Sequence, residues 1–380
     1  MKRVALVTFH TPSSCGAQLQ AFALQEAIKE NRCECRVIDF VPPSPSAGTH
    51  FSPLRRVHGT MSKIVFGRKV RRQKKRFSDW ISTHLELTRP ITSEKELKEE
   101  AENFDIFVCG SDQIWRLPER GFYFLDFTPE HVRRVAYAPS FGNIGFDEPS
   151  KALIRSYLRR FDALTVREND GAAFVSGLLD REVPTVLDPT LLWPSSYWRK
   201  HAAEPGGRVP KRFVLIFSIQ DTIPCFRAAQ KICKRLGLSP VIIDTARRLV
   251  WHPFLKNHFD AGPAEFLRLI DLADFVVTSS FHGTAFAVNY GKPFLTICRG
   301  GTENVNSRIH TLADTLGTRD RLICPGEGIP ECVFQDLEPE VCFRLTEQQS
   351  RCHNILTQSL LFPNADQDVG NSGKSGVIGI

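Results

Sequence analysis

Short apolar runs alternate along the chain with segments of helical period. Residues 4–9 form one run, a polar loop follows to Gly16, and 17–30 then places Leu19, Phe22, Ala23 and Ile28 on one helical face. The next run, 36–40, completes a predicted strand, helix, strand unit, which requires a parallel sheet. Further strands are predicted at 104–109, 134–138, 163–166 and 183–187. Each ends in polar, turn-forming residues: Gly110-Ser111-Asp112, Pro139-Ser140-Phe141-Gly142, Arg167-Glu168-Asn169-Asp170 and Asp188-Pro189-Thr190. Open parallel sheets hold ligands at that edge.

Pro194, Pro205 and Pro210 with the Gly206-Gly207 pair mark 194–210 as a linker. Beyond it the alternation restarts, with strands at 213–219, 241–244, 275–278 and 294–298. Helices are predicted near 224–236, at 263–272 and from Gly283. At 380 residues the chain exceeds what one hydrophobic core usually spans. The expected organisation is therefore α/β, with two domains. The first covers 1–195, with a basic helical insert at 54–80, and the second 196–335. A terminal helix at 340–362 and a disordered Gly/Ser/Asn-rich tail at 363–380 complete it.

Composition narrows the class of function. No stretch of about 18 apolar residues is present, and the first apolar run stops at Thr8 without a cleavage signal, so a cytoplasmic protein is expected. The 11 cysteines are scattered without a CxxC pair and read as reduced thiols. Neither a metal nor another cofactor is expected. The net charge of +7 is concentrated: ten Lys or Arg and no acid lie between Arg55 and Arg76. Such a run is either a solvated helix face or a surface for an anionic partner, with peripheral contact to a membrane as the functional reading. No nucleic-acid motif accompanies it, which argues against a nucleic-acid partner.

Candidate chemistry gathers at predicted strand ends. Ser279-Ser280-Phe281-His282-Gly283-Thr284 follows a buried strand and opens a helix, so hydroxyls, amides and an imidazole meet where anions bind. The plain alternative is that Ser280 caps the helix and His282 is an ordinary surface residue. Arg167, at a strand-to-helix turn, and Arg308, opening a helix after the loop that begins at Arg299, suit phosphate or carboxylate because guanidinium donates in pairs. In the first half, Ser13-Ser14-Cys15-Gly16 could cradle a ligand, and Cys15 is either a thiolate nucleophile or a buried thiol. Ser111 and Asp112 face the expected cleft, whereas Asp188 reads first as a turn-former.

In this order, Gly16 to Gln25, Phe104 to Trp115, Ala138 to Gly142, Val166-Arg167-Glu168, Val186 to Leu192 and Pro263 to Phe286 resemble the polysaccharide pyruvyl transferase family across about 1–325. The resemblance implies two Rossmann-like domains facing across a cleft, a GT-B-like architecture. It also implies transfer of pyruvate from phosphoenolpyruvate, as a ketal, to a sugar of a cell-surface polysaccharide or its lipid-linked precursor. Arg167 and His282 carry over as basic and acid/base residues. The departure is Ser280-Phe281-His282 where better-studied members have Arg-Leu-His. It leaves Arg308, Arg299 or the helix start at Ser280 and Gly283 to compensate for a lost cation. On this reading Asp112 orients hydroxyls, and Gly16 and Ser111 line the substrate site. The rival readings are a GT-B glycosyltransferase with a nucleotide-sugar donor and a non-catalytic glycan-binding member.

Overall fold

Strands β1 (Arg3–Val7), β2 (Glu34–Val37), β3 (Ile106–Cys109), β4 (Arg133–Ala136) and β5 (Ala163–Leu164) pair in parallel in the order β2-β1-β3-β4-β5. Helix α1 (Cys15–Glu30) connects β1 to β2 on one side of β1, and β3 returns on the other. The order therefore reverses between β1 and β3, and the loops after those two strands border a crevice. Val4 and Leu6 point into one core while Ala5 and Val7 point into another, so both faces of the sheet are covered.

The second sheet is also parallel. It contains β6 (Phe213–Ser218), β7 (Ser239–Asp244), β8 (Lys256–Asn257), β9 (Phe275–Thr278), β10 (Phe294–Ile297) and β11 (Leu322–Ile323), ordered β11-β10-β9-β6-β7-β8. Here the reversal lies between β6 and β9, which brings the Ser279-Ser280 turn to the edge of the second crevice. The computed structural model describes residues 1–10, 14–41, 53–118, 121–218, 222–244, 256–257, 260–300 and 306–361. Of 53–66, 222, 244 and 256–257 it describes the backbone alone.

Two expectations are corrected. Residues 183–187 form no strand: Val166 and Thr185 make a single bridge. Pro184 has no N–H for a ladder, and Val183, Val186 and Leu187 are buried as packing residues instead. The linker contains a short helix, α6 (Ser195–Arg199), anchored by fully buried Trp198.

The basic helix α2 (Pro53–His84) is not simply solvated. Arg72 Nε lies 2.9 Å from Asp260, Arg76 Nε lies 3.0 Å from Glu265, and Gln73 donates to the Ala261 carbonyl. These contacts tie the end of the basic run to α8 (Pro263–Leu272) and the loop before it, while Arg68, Arg71, Lys74 and Lys75 remain exposed.

The remaining helices are α3 (Glu94–Ala101), α4 (Glu148–Leu158), α5 (Asn169–Leu179), α7 (Thr222–Leu236), α9 (Phe281–Asn289), α10 (Ser307–Leu316) and α11 (Pro339–Leu361). The last returns to the first sheet: Lys2 donates to the Leu360 carbonyl, Arg133 to the Ser359 carbonyl and the Leu187 amide to Cys352 Sγ. The expected tail at 363–380 lies outside the described residues. Among those described, no helix is long and apolar enough to cross a membrane.

Candidate functional site

The turn between β9 and α9 is braced from within. Thr278 Oγ1 donates to the Phe217 carbonyl at 2.6 Å and accepts the Ser280 amide at 3.0 Å. Ser280 caps α9 by accepting the Gly283 amide at 3.4 Å, and its carbonyl accepts the Thr284 hydroxyl. A Cβ on Gly283 would lie 2.2 Å from Thr278 Oγ1 and 3.0 Å from the Phe217 ring. Glycine at 283 is thus needed to seat the helix on the sheet, and the backbone there faces protein. Gly16 plays the matching part in the other half: a Cβ on it would fall 2.1 Å from His282 Nδ1. The imidazole therefore rests against the start of α1, and two helix beginnings more than two hundred residues apart meet at one ring.

Beside it lies a buried charge cluster. Arg167 Nη1 donates to Asp188 Oδ2 at 2.7 Å and to Ser111 Oγ at 3.3 Å, and Ser111 Oγ donates to the same carboxylate oxygen at 2.8 Å. The other oxygen, Oδ1, accepts the Thr190 amide and hydroxyl at 3.0 and 2.7 Å. His282 Nε2 is 3.7 Å from Asp188 Oδ2, an ion pair whenever the ring is protonated. Burial alone would push the Asp188 carboxyl up. The His282 ring, Arg167 and Thr190 outweigh it and hold the group well below the usual carboxylate range.

The sequence reading of Asp188 as a turn-former describes one of its two oxygens. The other organises Arg167. A polar side chain after a strand end was the available signal; its partners, far away in sequence, were not visible.

Asp112 borders the cluster, with Oδ1 3.7 Å from Arg167 Nη2. It adopts φ of 80°, a left-handed conformation that aspartate tolerates better than most residues. Its carbonyl accepts the Ile114 and Ser140 amides, which holds that conformation. The Arg167 guanidinium also stacks 4.5 Å from the Phe281 ring centroid.

Arg308 reaches the same region from α10. With the Gln113 amide oriented oxygen-inward, that oxygen accepts from both terminal nitrogens of Arg308, at 2.9 and 3.1 Å. Burial, then the neighbouring Arg167, lower Arg308 to about 10. Glu168 accepts from the Ser140 hydroxyl and the Phe141 amide, and burial raises its carboxyl. Arg299 is half-exposed; its backbone exchanges hydrogen bonds with the Asn306 side chain and so shapes the loop before α10.

The structure brings His282, Gly16, Ser111, Asp112, Arg167 and Arg308 together. It assigns Ser280 and Gly283 to building the turn. Burial pushes the Cys15 thiol far up, with Glu265 adding to it, which removes it as a thiolate nucleophile. Asp188, Glu168 and Gln113 are the residues that sequence reasoning left out of the site.

Four buried atoms in this cluster have no hydrogen-bond partner: Arg167 Nε and Nη2, Glu168 Oε2 and His282 Nε2. Buried polar atoms are normally paired, so their concentration here distinguishes the spot from the surrounding core. A cleft adjoins it, lined by Arg167, Asp188, Phe281 and Arg308 and extending past α10 to α11. Among the described residues, no group of three or more His, Cys, Asp or Glu side chains could hold a metal ion.

Comparison with known structures fixes the architecture. UDP-GlcNAc 2-epimerase from Neisseria meningitidis, solved bound to UDP-GlcNAc, superposes with a TM-score of 0.51 and 13% identity over 95% of this chain and 100% of its own. The epimerase from Methanocaldococcus jannaschii gives 0.45 at 12% identity, covering 93% of this chain and 92% of that one. The spinosyn rhamnosyltransferase SpnG gives 0.42 at 14%, covering 94% and 96%. With the Neisseria enzyme the chain shares the GT-B-like α/β fold. No curated protein matches the sequence significantly. The model of the polysaccharide pyruvyl transferase family matches residues 15–297, well over half of the chain. A chain with that match and this fold belongs to the polysaccharide pyruvyl transferase family.

Proposed function

We propose that the protein transfers the pyruvyl group of phosphoenolpyruvate, as a ketal, to two hydroxyls of a sugar in a cell-surface polysaccharide or its lipid-linked precursor, at the cytoplasmic face of the membrane. The observation that carries this reading is the meeting of two guanidiniums, Arg167 and Arg308, with the imidazole of His282 beside a cleft, in a chain of this family.

Phosphoenolpyruvate is an enol phosphate. Protonating its methylene carbon develops positive charge at the carbon bearing phosphate and carboxylate, where a hydroxyl oxygen adds. The carbon–oxygen bond to phosphate then breaks, and the second hydroxyl closes the ring. Of the two hydroxyl protons lost, one balances the new methyl group and the other leaves with phosphate.

His282 supplies the first proton in this scheme, because imidazole ordinarily titrates near neutrality and its Nε2 makes no hydrogen bond within the protein. Arg167 and Arg308 bind the carboxylate and phosphate; Nε and Nη2 of Arg167 are donors still to be used. Asp188 keeps Arg167 in place and lies 3.7 Å from the imidazole Nε2. Asp112, at the cluster's edge, orients the sugar hydroxyls. Arg308 takes over the cationic role of the arginine that this family member lacks before Phe281.

The test is incubation with phosphoenolpyruvate and glycan precursors, following inorganic phosphate and the mass of the product. Phosphate release coupled to a pyruvylated sugar is expected. Sugar transfer from a nucleotide donor, without consumption of phosphoenolpyruvate, would replace this reading with that of a glycosyltransferase.

A further inference from the structure

The cleft shares Arg167, Asp188 and Arg308 with the proposed reaction and extends past them. Its outer part lies between α10, α11 and the 185–188 segment, and neither His282 nor Asp112 lines it. Arg308, Thr311 and Thr315 follow one another along one face of α10, at helical spacings of three and four. Opposite them α11 presents Gln348 and Arg351.

Three guanidiniums and one carboxylate line this space. The carboxylate, Asp188, is already engaged by Ser111, Arg167 and Thr190. Arg167, whose side chain is only 1% exposed, lines the cleft with Nε and Nη2 lacking hydrogen bonds. Arg351 stands exposed at the mouth, held by one nitrogen to the Thr185 carbonyl at 3.1 Å and to Gln348 Oε1 at 3.2 Å. Along the lining itself guanidiniums outnumber carboxylates three to one, and Arg167 keeps two nitrogens without hydrogen bonds. Guanidinium donors left over on Arg167 inside the cleft and on Arg351 at its mouth suit a tetrahedral dianion better than a neutral sugar.

We propose that the cleft between α10 and α11 is a second binding site, for a phosphoryl group, with Arg351 and Gln348 at its mouth and Arg167 and Arg308 at its inner end. The phosphoryl group is either the phosphate released from the donor or a phosphoester on the acceptor. Only the identity of these two sources rests on the proposed pyruvyl transfer.

The test is titration of the full chain with inorganic phosphate and, separately, glucose 1-phosphate, followed by calorimetry. Arg351→Glu is compared with Arg344→Glu, an equal charge change on the same helix at a residue that pairs with Glu340 outside the cleft. Arg351→Glu should weaken binding at least tenfold and Arg344→Glu should not. Loss confined to inorganic phosphate identifies the leaving group as the ligand, and loss for the sugar phosphate as well identifies a phosphoester. Equal affinity in wild type and Arg351→Glu, equal losses in both variants, or no binding of either probe to the wild type would overturn the site. Arg351-dependent phosphate binding in a protein that does not consume phosphoenolpyruvate would leave the site standing and remove the proposed reaction instead.

Discussion

The two halves contribute to the candidate site in opposite ways. The first half brings Ser111, Arg167 and Asp188, whose hydrogen bonds interlock, with both oxygens of Asp188 occupied. The second brings His282, whose Nε2 has no hydrogen bond, on a helix start braced by Ser280 and Gly283. One side is a fixed network of charge; the other holds an imidazole nitrogen left without a hydrogen bond. A scaffold that spends its hydrogen bonds on holding an arginine leaves the neighbouring imidazole available for chemistry.

The strongest way to break this comparison is at the imidazole. His282→Gln should remain folded, judged by circular dichroism, and lose about a hundredfold to ten-thousandfold in phosphate release from phosphoenolpyruvate, the usual cost of deleting a general acid. Near-normal turnover would make His282 a packing residue.

On the side built around Asp188 the expectation is loss of stability. Asp188→Asn leaves buried Arg167 without its counter-charge, which typically costs about 3–5 kcal/mol. The pH dependence follows from the lowered carboxyl. Its stabilisation is complete above the unfolded carboxylate range of about pH 4 and is lost as pH falls below that, toward the lower folded value. Acid unfolding followed by fluorescence should therefore be less steep below about pH 4 in Asp188→Asn than in the wild type. Identical acid limbs would show that Asp188 is not the group responsible.

The contact between the halves is tested at Gly16. Gly16→Ala puts a methyl group where the His282 ring lies, so overpacking should cost about 1–3 kcal/mol and displace the imidazole. Thermal unfolding and phosphate release should fall together. A variant of wild-type stability and turnover would show that the ring can move aside without consequence.

The smallest effect belongs to α2, where the same contrast between satisfied and unsatisfied charge recurs. Arg72 and Arg76 are paired with Asp260 and Glu265, while Arg71 and Lys74 are exposed. Charge reversal at Arg71 or Lys74 should weaken co-sedimentation with anionic vesicles by roughly 1 kcal/mol for each residue that reaches the surface, without changing stability. Arg72→Glu should lower the melting temperature instead. Equal binding to neutral and anionic vesicles would remove the membrane role.

Much of the fold was legible because its signals are local. The run Phe275–Thr278 is strand-like on its own residues, and Pro263–Leu272 shows a helical face with proline at its start. The polar turns at strand ends pointed to His282, Arg167 and Asp112, since parallel sheets place ligands there. The apparent strand at 183–187 misled because an apolar run reads alike whether it joins a ladder or packs beside one. Pro184 and the single bridge at Thr185 decided the matter.

What the sequence by itself determined was the alternation of strand and helix, and with it the edge at which chemistry would gather. Only the tertiary structure decided how the residues divide the work. Asp188 becomes the anchor of Arg167 through a contact across 21 positions, and Gly16 becomes the bed of His282 across far more. The basic run is split between ion-paired residues and open surface by where α8 lies. Hydrophobic period is written within a few residues, whereas pairing of charge depends on distances that exist only after both sheets have packed.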